Sequence, residues 1–179
     1  VCNVPNYGEN TVAEYTFALI LALSRKIFPS VERAKRGDFS LEGLSGFDLK
    51  GKTLGVIGAG NIGSHVIRIA KGFGMNVIVY DIVKNETLRK KLGFQYVPFK
   101  RLLEESDIIT LHVPLNKATH HMINKDNIKL IKRGAVLINT ARGGVVDVEA
   151  MIKALDEGIL SAVGLDVFEE ECEIKEERE

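Results

Sequence analysis

The sequence predicts a doubly wound α/β fold built on a parallel sheet. Three observations carry that reading. From Lys52 onward, short apolar runs alternate with helical stretches. The runs are rich in Val and Ile and lack clean apolar/polar alternation, as strands covered on both faces do. Charged last turns are followed by Gly134 and Gly158, a common way to stop a helix.

Taken in order, "TVAEYTFALILALSR" reads as a helix over residues 11–25. Thr11 as N-cap with Glu14 three residues on would form a capping box. Beyond it Val12, Tyr15, Phe17, Leu19, Ile20, Leu21 and Leu23 are apolar on nearly every face, so this helix needs cover on more than one side. A short basic helix from Pro29 to about Arg36 follows and stops at Gly37. Five strand–helix repeats come next. "TLGVIG" leads into "GSHVIRIAKGF", "NVIVYD" into "ETLRKKLG", and "DIITLHVP" into "NKDNIKLIKRG". "AVLINT" leads into "DVEAMIKALDEG", and "LSAVGLDVF" closes the series. Such a chain builds a parallel sheet with right-handed crossovers.

The bulk properties narrow the function. The chain has 179 residues, of which 45% are hydrophobic and 27% charged, enough for one sizeable domain with its own core. Lys+Arg and Asp+Glu both number 24, so no basic excess points to a nucleic acid or an acidic membrane. Cys2 and Cys172 are far apart and form no metal spacing, which predicts a reducing, cytoplasmic setting. The most apolar run, Val12 to Leu23, is 12 residues long and contains Glu14 and Thr16, so it is too short and too polar to span a bilayer. The chain opens at Val1 and stops inside a charged run. The expectation is therefore a fragment of a longer protein.

The sharpest motif is "GVIGAGNIGSHV". Gly58, Gly60 and Gly63 make G-x-G-x-x-G directly after a strand and opening a helix. In that context Gly58 allows the tight turn, Gly60 lets backbone approach a pyrophosphate, and Gly63 lets helix and strand pack closely. The helix N-terminus adds free amides and a positive dipole end. Asp81 ends the next strand, 18 residues after Gly63. A carboxylate there accepts ribose hydroxyls and repels a 2′-phosphate, favouring NAD over NADP, a preference Lys84 weakens slightly. The plainer alternative is a glycine-rich turn beside a surface aspartate. The parts together predict a Rossmann-type sheet.

Ligands of such sheets bind at the carboxyl edge of the strands. Three strands end there in unusual chemistry: His112 to Pro114, Asn139 to Gly144, and Asp166 to Glu171. Arg142 stands out because a guanidinium fork can hold a carboxylate and polarise a carbonyl that gains charge. The bland reading is a loop cap or a surface ion pair.

In these residues the chain resembles the D-isomer-specific 2-hydroxyacid dehydrogenases. The matching pieces are "NVP", "TVAEYTFALILALSR", "GVIGAGNIG", "VYD", "LHVPL…THHMIN", "INTARGGVVD" and "GLDVFEEE", in order from Asn3 to about Glu171. The forms "THHMIN" and "LDVFEEE" look most like the D-lactate dehydrogenase branch. The resemblance implies an NAD-dependent oxidoreductase that interconverts a small 2-oxo acid and a D-2-hydroxy acid. It implies Arg142 as the substrate-binding catalytic arginine and Glu171 as the partner of a catalytic histidine. Asp166 matches a carboxylate near the nicotinamide, and Asn61 and Ile62 match phosphate-loop contacts. Val113, Pro114, Thr119, Thr140 and Ala141 match further cofactor contacts. It also implies a two-domain protein, of which residues 1–46 would be a domain-crossing helical segment, 47–168 the dinucleotide-binding core and 169–179 a truncated acidic segment, and a homodimer through the Thr11–Arg25 helix region. In two places the sequence departs from the family. Cys172 stands after Glu171 where many members have proline, and the family's Pro-His motif does not occur before Glu179.

Of the four histidines, His112 sits nearest a strand's carboxyl end, but the resemblance makes it part of a cofactor-side turn. His65 reads as structural or solvated. His120 and His121 lie in a loop with no metal-ligand partner visible nearby in sequence. A different class of function stays open: an NAD(H)-sensing module of the corepressor type, which binds the cofactor without turnover.

Overall fold

The computed structural model describes residues 8–169. A six-stranded, all-parallel sheet forms its centre, with strand order β3-β2-β1-β4-β5-β6. The strands are β1 (Thr53–Ile57), β2 (Asn76–Tyr80), β3 (Gln95–Tyr96), β4 (Ile108–Leu111), β5 (Ala135–Asn139) and β6 (Leu160–Leu165). Burial on both faces shows in β4 and β5, where every residue is buried. The parallel α/β reading therefore holds, and the chain builds one strand more than the five repeats predicted. Gln95–Tyr96 is two residues long, too short to show any period.

Helices cover both faces. One layer holds α1 (Glu9–Ser24) and α3 (Asn61–Gly72), whose Ala13, Phe17, Ile20, Val66, Ile67 and Ala70 bury against Leu54, Val56 and Ile138. The opposite layer holds α5 (Phe99–Glu105) and α6 (Val148–Asp156), with Leu102, Leu103, Met151 and Ala154 packed on Ile109, Leu111 and Leu137. The helices α2 (Ile27–Lys35) and α4 (Glu86–Leu92) bury no residue.

Three local expectations need correction. The capping box at Thr11 does not form. α1 starts at Glu9 behind Gly8, whose φ of 75° lets the chain enter the helix one turn earlier, and Asn10 then donates to Glu14. α2 starts at Ile27 rather than Pro29, so the proline falls in the first turn, where its missing N–H is tolerated. The helix expected over residues 124–134 shrinks to one 3₁₀ turn, Ile128–Leu130. Its asparagines compete with the helix for the backbone: Asn127 accepts from the Asn124 amide at 3.1 Å and donates to the Met122 carbonyl at 2.8 Å.

Candidate active site

Strand order reverses between β1 and β4, the position where open α/β sheets form a crevice at their carboxyl edge. The turn after β1 is made there. Gly58 has φ 92°, and a Cβ on it would lie 2.6 Å from the His112 carbonyl oxygen of the β4 end. Only glycine serves at that turn. Gly63 lies in the first turn of α3, where a Cβ would come within 2.0 Å of the Gly58 carbonyl oxygen. Gly60, between them, faces open space, with no heavy atom within 4 Å of its would-be Cβ. The amides that open α3 have no intrahelical partner. Backbone that faces solvent beside free amides is a cradle a pyrophosphate fits.

Asp81 is tied into this loop from the end of β2. Its Oδ2 accepts from the Ala59 amide at 2.7 Å and its Oδ1 from the Val83 amide at 2.9 Å. Both oxygens keep lone pairs for hydroxyl donors. Asn61 donates to Glu9 of α1, which fastens the start of α3 to α1.

A cleft of about 480 Å³ opens beside the loop. It brings together Ile62, Val113, Pro114, Thr140, Ala141 and Arg142 from three strand ends, joined by Val12, His112 and Leu115. Six of the residues singled out in the sequence thus share one wall. Thr119 does not line it. Its hydroxyl donates to the Pro114 carbonyl and accepts from the Asn116 amide at 2.8 Å, so it shapes the turn that presents Pro114. Thr140 meets Thr16 of α1 hydroxyl to hydroxyl at 2.9 Å.

The Arg142 turn is held by a residue that the sequence reading did not single out. Asn139 is 1% exposed. Its Oδ1 accepts from the Ala141 amide at 3.0 Å, its Nδ2 donates to the Arg142 carbonyl at 2.9 Å, and its own carbonyl accepts from the Asp166 amide at 3.0 Å. A buried asparagine ending an apolar strand was the available signal. Arg142 itself is exposed. Its Nη1 donates to the Ala141 carbonyl at 2.6 Å, and among the described residues it pairs with no carboxylate. Asp166 is also exposed, one residue past β6. Glu171 lies outside the described residues.

His112 is held neutral at neutral pH. Burial pushes its pKa down to about 3. Its Nε2 meets the Thr110 hydroxyl at 2.9 Å, while Nδ1 is buried without a partner among the described residues.

Residues 17–178 match the profile of the D-isomer specific 2-hydroxyacid dehydrogenase NAD-binding domain. The chain belongs to this dehydrogenase family. A glyoxylate reductase of Korarchaeum cryptofilum is 44% identical over 175 residues, covering 96% of this chain and 53% of the relative. A glyoxylate reductase of Thermococcus litoralis is 45% identical, covering 99% and 56%. Among solved structures, the D-lactate dehydrogenase of Aquifex aeolicus in complex with NAD and lactic acid superposes with a TM-score of 0.92 at 46% identity, over 98% of this chain and 53% of that one. The chain spans about half the length of the curated relatives it matches. The dinucleotide that the glycine loop and Asp81 predicted is thus NAD, the cofactor of the matched domain. No helix among the described residues is long and apolar enough to cross a membrane.

Proposed function

We propose that this chain is the cofactor-binding part of an enzyme that interconverts a small 2-oxo acid and its D-2-hydroxy acid. The observation that carries the reading is Arg142. An exposed guanidinium on the rim of the cleft, turned out by a buried asparagine clasp, is suited to an anion. Its fork would hold the substrate carboxylate, and a donor aimed at the ketone oxygen would stabilise the charge that develops there.

Gly60 and the start of α3, with Asn61, would receive the pyrophosphate, Gly63 would let α3 pack close enough for that, and Asp81 would hold the adenosine ribose hydroxyls. Ile62, Val113, Pro114, Thr140 and Ala141 would form the walls, with Thr119 holding the Pro114 turn and Asp166 near the nicotinamide. When bound, NAD(H) supplies the hydride chemistry. The proton would come from a histidine outside these 179 residues, paired with Glu171. Side chains of α2 and the loop after it are bare: Phe28 is 66% exposed, Phe39 80% and Leu41 82%. Apolar side chains bare in this way support a second domain or a second chain against this end, and the homodimer would form through the Thr11–Arg25 helix region beside it.

Relatives named as glyoxylate reductases and D-lactate dehydrogenases support a substrate of glyoxylate or pyruvate size. The test is NADH consumption by the whole protein with glyoxylate, pyruvate, hydroxypyruvate and 2-oxoisocaproate. Strong turnover of one of the small acids is expected. Tight NADH binding with no turnover of any of them would move the reading to a cofactor-sensing module.

A further inference from the structure

Adjacent residues of an extended chain point their side chains apart. His120 and His121 do not. His121 has φ 47°, and the two rings stack with centroids 4.0 Å apart at 24°. The bend is pinned on both sides. The His121 amide donates to the Gly144 carbonyl at 2.8 Å, and Asn124 donates to the His121 carbonyl at 2.9 Å. Across from the rings stands Glu169, at the end of the turn that follows β6, and its Oε1 meets His121 Nε2. One ligand atom from each of His120, His121 and Glu169 lies within 4.8 Å of the other two.

The loop that offered no metal partner in sequence thus acquires one 48 residues away. Beside the trio is a cleft of about 460 Å³ lined by His121, Glu169, Asp147, Val148 and Glu149. Three carboxylates on one wall raise the local concentration of cations. Asp147 already accepts from the Ala150 amide at 3.0 Å as the cap of α6, so it adds field rather than a ligand.

We propose that His120, His121 and Glu169 form a binding site for a divalent transition-metal ion of the zinc type, with water in the fourth position. Two imidazoles and one carboxylate suit zinc, whereas magnesium and calcium prefer an all-oxygen set. Zinc holds such ligands at about 2.0–2.2 Å, so the three atoms must close in from their present spread. His120 is exposed and His121 and Glu169 are half-buried, which leaves room for that rotation. The ion would replace the His121–Glu169 hydrogen bond.

This site goes beyond the proposed reaction, and none of its three residues lines the Arg142 cleft. It lies on the other side of the same turn. A Cβ on Gly143 would strike the Phe168 carbonyl at 2.0 Å, and Gly144 accepts from His121, so the turn is held between the two segments the ion would join.

The experiment is a Zn²⁺ titration of the purified protein against a coloured chelator, with Co²⁺ as spectroscopic probe. Wild type is expected to bind one Zn²⁺ that His120→Ala and His121→Asn each weaken by on the order of tenfold or more, and Glu169→Gln in the same direction. Asn is chosen at 121 because it tolerates positive φ. Co²⁺ should give the visible bands of a four-coordinate nitrogen–oxygen site, lost in the same variants. NADH affinity, read in parallel, should stay at the wild-type value and shows that the variants are folded. No Zn²⁺ uptake, or uptake equal in wild type, His120→Ala and His121→Asn, would overturn the proposal.

Discussion

Gly60 and Gly63 sit three residues apart, and the structure separates their tasks sharply enough to predict opposite phenotypes. An alanine Cβ at 63 would lie 2.0 Å from the Gly58 carbonyl oxygen, where ordinary contact begins at about 3.4 Å. The two backbone segments must part by roughly 1.4 Å. Neither is a flexible side chain end, so the cost belongs at the upper end of the overpacking range, about 3 kcal/mol. In a domain of this size that lowers Tm by roughly 6–12 °C. Gly60→Ala meets no atom within 4 Å. It should cost only the difference between glycine and alanine as an N-cap, about 0.5–1 kcal/mol. Yet a methyl there occupies the space through which a pyrophosphate reaches the α3 amides. Charge-assisted bonds of that type contribute about 1.5–3 kcal/mol, so NADH affinity should fall by roughly 10- to 100-fold. Urea denaturation and NADH fluorescence titration of both variants decide the matter. If Gly60→Ala binds NADH as wild type does, the cradle is not where the pyrophosphate lies. If Gly63→Ala keeps wild-type stability, the close approach of α3 to the loop is wrong.

Arg142→Lys should lose about 2–4 kcal/mol of transition-state stabilisation in kcat/KM, because lysine lacks the planar fork; a near wild-type value in steady-state kinetics would remove Arg142 from its role. Asn139→Ala leaves the Ala141 amide and the Arg142 carbonyl short of a partner and should destabilise by about 1–3 kcal/mol, measured by urea unfolding. The same variant should lower kcat/KM as well, because the Arg142 turn loosens. His112 stays neutral in the folded protein, with its pKa lowered from 6.5 to about 3. Between those values the unfolded chain binds the extra proton, so stability falls as pH drops, by at most about 1.4 kcal/mol per pH unit. His112→Gln should flatten this part of the stability–pH curve. An unchanged slope in the variant would mean that the ring titrates normally.

The fingerprint glycines and Asp81 were legible because backbone geometry at a phosphate site permits so few residue types. The carboxyl ends of β4 and β5 were legible for a related reason: His112, Pro114 and Arg142 interrupt apolar runs where a buried strand has no use for them. Other features were hidden. β3 is two residues long, below the length at which a period shows. The apolar spacing of Ile128, Leu130 and Ile131 imitates a helix, but Asn124 and Asn127 spend their side chains on the backbone and stop it. The His121–Glu169 pair depends on a positive φ in one loop and a turn after the last strand, and no pattern in the chain announces either.

Asn139 shows how little side-chain chemistry is needed to aim the arginine. It ends a strand whose five residues are all buried, so its amide group cannot turn to water. It must be satisfied within reach, and the next three residues are what is within reach. Its bonds to Ala141 and Arg142 therefore fold the chain into the turn, and the bond from Asp166 locks β6 to the same residue. The direction of Arg142 thus follows from the burial of the residue three places before it. Asn139→Asp distinguishes this account from simple packing. An aspartate fills the same volume and can still accept from Ala141, but it cannot donate to the Arg142 carbonyl. If the donated bond aims the turn, Asn139→Asp should lose kcat/KM while keeping more stability than Asn139→Ala. Equal activity in Asn139→Asp and wild type would mean that the strand end alone sets the turn.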